Sequence, residues 1–125
     1  MKRGDLSMQA DTVGGFIVSR HILEGIPVRY SFRKKTNIQQ LNGWNLLSEE
    51  DDDEYVQNSE NFCIVSAETI KRIVPELFVI YDAPFGTDLF WIYTEDGDVC
   101  GFYDLIKKKR VSVQEILCKE EKTEQ

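Results

Sequence analysis

The stretch Asp88-Leu89-Phe90-Trp91-Ile92-Tyr93-Thr94-Glu95-Asp96-Gly97-Asp98-Val99-Cys100-Gly101-Phe102-Tyr103 decides the fold class. Two apolar and aromatic runs, 88–94 and 99–103, flank an Asp-Gly pair that supplies the positive φ angles a tight hairpin prefers, so a β-hairpin is expected here. Upstream, Val28-Arg29-Tyr30-Ser31-Phe32-Arg33 alternates apolar and polar with period two. That spacing predicts a half-buried strand with Val28, Tyr30 and Phe32 on one face. Gly15-Phe16-Ile17-Val18-Ser19 reads as a further strand, and His21-Ile22-Leu23-Glu24-Gly25 as one helical turn closed by glycine. Gly43 precedes a third short strand, Trp44-Asn45-Leu46-Leu47, and allows an unusual backbone turn before the bulky tryptophan. Phe62-Cys63-Ile64-Val65 is wholly apolar and of strand length. Ser66 then caps a helix carrying Ile70, Ile73 and Val74 at i, i+3, i+4 spacing, which Pro75 ends. Ser112 and Glu115 form a capping box for a C-terminal helix over about 113–121. The order predicts one α+β domain with a mainly antiparallel sheet, two or three short helices and a C-terminal β-hairpin followed by a helix. Residues 1–13 read as a flexible N-terminal arm, 14–118 as the domain and 119–125 as a frayed tail.

With 125 residues the chain has length for one compact domain and not for two. Hydrophobic residues make up 42% and charged residues 30%, which fits a folding soluble protein and not a disordered or fibrous one. The 15 Lys plus Arg against 22 Asp plus Glu leave a formal net charge of −7, which sets nucleic acid aside as a partner. No apolar stretch approaches the roughly 18 residues of a membrane span, and the start MKRGDLSMQADT lacks the apolar centre of a secretion signal. A cytoplasmic protein without membrane contact is expected.

Chemistry-bearing residues are sparse. Cys63, Cys100 and Cys118 are an odd number with no C-x-x-C pair, and His21 is the single histidine. This reads as a reduced cytosolic protein with no metal and no cofactor. Cys63 and Cys100 lie inside apolar runs and read as buried small hydrophobes. A serine or cysteine nucleophile needs a base, and His21, directly after an apolar strand, reads as a surface or turn histidine. No G-x-S-x-G elbow, H-E-x-x-H pair, G-x-G-x-x-G loop or P-loop occurs. No catalytic residue is assigned, and an enzyme is not expected.

The most unusual local feature is Glu49-Glu50-Asp51-Asp52-Asp53-Glu54, bounded by Ser48 and by Tyr55-Val56. Ser48 with Asp51 resembles a capping box and predicts a short helix near 49–57 whose first-turn acids meet the helix dipole. Three readings stay open. The run is a solvated helix start, a loose divalent-cation site, or a protein-binding surface whose field steers a basic partner. The EF-hand pattern fails, because Tyr55 and Val56 stand at positions five and six counted from Asp51. Tyr55 either anchors an interface or packs under the short helix. Trp44, Phe62, Phe78, Phe90 and Trp91 read as core. Arg33-Lys34-Lys35 and Lys107-Lys108-Lys109-Arg110 read as solvated ends of elements. Leu77-Phe78-Val79-Ile80-Tyr81 belongs either to the core or to a dimer interface, a homodimer being an ordinary way to cover a sheet edge.

Three stretches together resemble a bacterial family: Gly15-Phe16-Ile17-Val18-Ser19, the segment from Gly43-Trp44-Asn45-Leu46-Leu47-Ser48 through the acids to Tyr55, and Ala83-Pro84-Phe85-Gly86-Thr87. The chain is similar over roughly 14–92 to the immunity protein thirty-three family. Its pattern runs tryptophan, any residue, phenylalanine, two residues, glycine, an acid, any residue, aspartate. Trp44, Glu50 and Asp52 match, while Leu46 and Glu49 stand in place of phenylalanine and glycine. The resemblance implies an immunity protein of a polymorphic toxin system, one that neutralises a cognate protein toxin by binding it, without catalysis. Many such toxins are nucleases with cationic clefts, which an acidic surface complements. The partner-binding surface expected on that basis comprises Glu49, Glu50, Asp51, Asp52, Asp53, Glu54 and Tyr55, presented by the strand that Trp44 shapes.

Overall fold

The apolar runs pair into one sheet of seven strands. In the computed structural model, which describes residues 14–118, the strands are β1 (Gly15–Ser19), β2 (Val28–Arg33), β3 (Leu41–Ser48), β4 (Phe62–Val65), β5 (Asp88–Tyr93), β6 (Val99–Asp104) and β7 (Lys109–Val111). Their order across the sheet is β4-β1-β3-β2-β5-β6-β7. Only β1 with β3 is parallel; every other pair is antiparallel. Four short helices, α1 (Arg20–Leu23), α2 (Asp53–Val56), α3 (Ala67–Ile73) and α4 (Val113–Leu117), complete the α+β domain. The proposed arm 1–13 and tail 119–125 lie outside the described residues.

Caps define the helices much as their sequences dictate. Ser66 Oγ accepts from the Thr69 N–H at the start of α3, and Pro75 opens a 3-10 turn (Pro75–Val79) directly after it. Ser112 and Glu115 make the reciprocal capping box of α4, which runs to Leu117. Leu77 and Ile80 have no exposure, so the apolar run 77–81 is largely core. They meet Phe16, Val18, Trp44, Leu46, Leu89 and Trp91 from one face of the sheet. Each such side chain contributes about 1.5–3 kcal/mol on burial.

Three local expectations need correction. Strand β2 does not put Val28, Tyr30 and Phe32 on one face. Its register against β3 shifts between Val28 and Tyr30, and this bulge turns Val28 and Ser31 toward the core while Tyr30 is 39% exposed. Ser31 is there for a reason: its Oγ accepts from the buried Trp91 Nε1 at 2.8 Å. The β5–β6 hairpin forms as expected, but the Asp96-Gly97 pair does not supply two positive φ angles. Thr94 N–H donates to the Asp98 carbonyl, and only Gly97 takes a positive φ, with a register shift between Ile92 and Tyr93. Finally, Cys100 is exposed and Cys63 only half-buried, because Cys63 lies on an edge strand and Cys100 next to the short β7.

Arg33, grouped with Lys34 and Lys35 as a solvated cluster, is a half-buried clamp. Its guanidinium donates to the carbonyls of Asn42, Tyr81 and Ala83 and stands over the rings of Trp44, Tyr81 and Phe85.

Candidate functional site

The acidic run is not a uniform field of carboxylates. Its residues divide by where the backbone aims them. Asp51 turns inward, with no side-chain exposure, and its Oδ2 accepts from the Ser48 N–H at 2.7 Å. Its Oδ1 accepts from the Ser48 hydroxyl at 2.7 Å and from His21 Nδ1 at 2.6 Å. Ser48 therefore closes a turn with Asp51 and does not cap the helix. Asp52 is the cap of α2, accepting from the Tyr55 N–H at 2.9 Å, so the helix expected near 49–57 occupies only Asp53–Val56. Glu49 pairs with Arg29 at 2.8 Å. Glu50, Asp53 and Glu54 remain exposed.

His21, read from the sequence as a surface or turn histidine, is tied into the acidic loop. It lies on α1, capped by Ser19, and its ring stacks on Tyr55 at 4.3 Å with 13° between planes. Tyr55 is thus half-buried between His21 and Phe62 instead of standing free at the surface. The hydrogen bond to Asp51 raises the His21 pKa, opposed by partial desolvation and supported by the charges of Asp51, Glu24 and Glu50. For Asp51, burial pushes the carboxyl up, yet the hydrogen bonds from His21, Ser48 and Ser19 outweigh it and hold the pKa below the ordinary value. The only sequence signal for this pair was an Asp and a His each beside a strand end, 30 residues apart. His21 meets Asp51 and Tyr55, and neither is a nucleophile of the cysteine or serine kind. Among the described residues, no three or more His, Cys, Asp or Glu side chains gather as donors for a metal ion.

Trp44 is fully buried near the far end of β3, where its Nε1 donates to the Tyr81 carbonyl. It supports the strand from within.

The strand registers gather charge that is scattered along the chain. Val28 lies opposite Ser48, Ser19 opposite Phe62, and Tyr93 opposite Val99. One end of the sheet therefore collects Glu24, the run 49–54, Glu60 and the hairpin acids Glu95, Asp96 and Asp98. At the opposite end, the β2–β3 connection holds Lys34 and Lys35 and the β6–β7 connection holds Lys107 and Lys108, with Asp104 facing Lys109. The first end is densely acidic, whereas the second mixes its lysines with Asp88, Asp104 and Glu115. No helix among the described residues is long and apolar enough to cross a membrane.

No curated protein and no solved structure matches the chain. The sequence does match the family described as "Immunity protein Imm33 domain" over residues 16–104, from β1 through β6, and so takes in the buried Asp51, the exposed acids and their strands. The chain belongs to the Imm33 immunity protein family.

Proposed function

We propose that this protein neutralises a cognate bacterial protein toxin by binding it, with the acidic end of the sheet as the contact surface. Family membership carries the reading of the role, because immunity proteins act on toxins. The gathering of acids at one end supports the reading of the surface: a dense patch of one sign steers and orients a partner of the other. The partner is a toxin with a basic face, a nuclease with a cationic cleft being one that fits. Within the run the residues divide the work. Glu50, Asp53 and Glu54 reach the partner, together with Glu49 at the rim. Asp51, Asp52, Tyr55 and Trp44 hold the loop and its strand in shape. No catalytic step is needed, and three cysteines with no C-x-x-C pair suit a reducing cytoplasm.

Expressing the adjacent reading frame in a bacterial host, with and without this chain, tests the role. Growth arrest by the neighbour, relieved by co-expression, is expected. The surface is tested by Glu50→Lys with Glu54→Lys. Asp52 is left alone in that variant, since reversing it also uncaps α2. The double change should cut affinity at least about tenfold, or roughly 1.4 kcal/mol, in a protein of unchanged fold. Unaltered affinity removes the acidic run from the contact.

A further inference from the structure

We propose that the uncovered face of the sheet, along a row formed by Leu47, Tyr30, Phe90 and Tyr103, is the apolar centre of the toxin contact, with the acidic run as its charged border. This rests on the reading above that the partner is a toxin with a basic face.

The buried apolar side chains of the helices and of the 3-10 turn, from Ile22 to Ile116, join one cluster with strand residues of a single face. The other face of the sheet is where the row lies. Residues directly opposite each other in an antiparallel pair point to the same side. Leu47 lies opposite Tyr30, Tyr30 opposite Phe90, and Phe90 opposite Tyr103, so the four cross β3, β2, β5 and β6 in line. None of them belongs to the core cluster or to the side chains packed against it. Phe32 and Ile92, two residues along from Tyr30 and Phe90, widen the row on the same side, and neither joins the core. An antiparallel sheet with one face in water ordinarily carries polar side chains there. Here the middle of the sheet carries aromatic and aliphatic ones, and a contiguous apolar patch of this kind marks an interaction surface.

The border of the face says what covers it. Arg29 stands over the Phe90 ring at 5.0 Å and pairs with Glu49, the first residue of the acidic run, at 2.8 Å. The row and the acids are therefore one continuous surface, and a partner seated on either meets the other. A stable complex covers about 800 Å² on each side, more than three exposed carboxylates offer, so the acidic run needs an adjoining area. Exposed ion pairs also hold weakly, whereas buried aromatic side chains carry most of the energy of an interface. The occupant is thus a protein whose apolar patch is flanked by lysines or arginines. The acids bring it in and the row keeps it. A second copy of this chain is the poorer occupant, because each copy brings a net charge of −7.

The test takes the full chain with the growth-arresting product of the adjacent reading frame, and reads association and dissociation rates by stopped flow. Tyr30→Ser with Tyr103→Ser should raise the dissociation rate at least about tenfold and leave the association rate within about twofold. Glu50→Lys with Glu54→Lys should act mainly on association. Tyr30→Phe keeps the ring and should bind as the parent does. So should Val79→Lys, which charges an exposed apolar residue of the 3-10 turn on the covered side. Circular dichroism checks each fold; if the double serine change unfolds the chain, Tyr30→Lys at the most exposed position of the row takes its place. A folded variant that releases the toxin at the parent's rate overturns the proposal and leaves toxin binding intact. A parent chain that dimerises without toxin at about 100 μM, and is made monomeric by Tyr30→Lys, assigns the face to a second copy and overturns it too. A neighbour that neither arrests growth nor binds overturns the toxin reading and this proposal with it, which sets that failure apart from the other two.

Discussion

His21 is the one histidine of the chain, so its ring proton can be followed by NMR without overlap. The hydrogen bond to the ionised, fully buried Asp51 favours the protonated imidazole, and the midpoint should lie above 6.5. Asp51→Asn should bring it back to that value or below. The linkage has a definite sign. A raised histidine pKa contributes stability that is complete below 6.5 and is lost as pH rises through the folded value. The lowered Asp51 pKa contributes stability above 3.8 that is lost as acid passes its folded value. The tie between α1 and the acidic loop is thus strongest from about pH 4 to 6.5. Urea midpoints of parent and Asp51→Asn should differ most in that window. A difference that grows from pH 6.5 to 9 would contradict the pairing.

At the level of elements, the acidic loop depends on how β3 enters and leaves. Gly43 has φ of +92°, and a Cβ there would lie 2.6 Å from the Lys34 carbonyl oxygen and 2.9 Å from the Phe85 ring. The Gly43 carbonyl accepts from the Lys34 N–H, so neither strand can move aside freely. Gly43→Ala should cost about 2 kcal/mol or more, from backbone strain and overlap together. Thermal unfolding reads this directly, and a loss under about 0.5 kcal/mol would show that the turn relaxes. The bulge in β2 is the other structural decision. By turning Ser31 inward it supplies the acceptor for Trp91 Nε1 and leaves Tyr30 outward, edge-on to Phe90 at 5.4 Å.

Across the whole molecule, the crowding of acids at one end is what a charged partner meets at long range. A net charge of −7 understates the field at the acidic end, because the lysines of two connections are held at the other. Toxin association should accordingly be fast at low salt and slow markedly as ionic strength rises, while dissociation changes little. Stopped-flow association rates at a series of salt concentrations check this. A rate indifferent to salt would mean that the partner meets a different face.

Much of the fold was legible because its signals are local. The N-cap at Ser66, the capping box at Ser112, the glycine before Trp44 and the apolar hairpin arms act within a few residues, and the sequence by itself determined those elements and the α+β class. Period two misled at β2, because a bulge is set by the register of its neighbour and not by its own residues. The acidic run was visible as composition, but the roles of its members were not. Whether a carboxylate points to water, to Arg29 or to His21 depends on strands distant in sequence. Only the tertiary structure decided that the Asp51 side chain is buried, that Asp52 and not Ser48 caps α2, and that acids near 24, 50, 60 and 96 share one end. Charges interact through space, and only the folded chain determines which ones are neighbours.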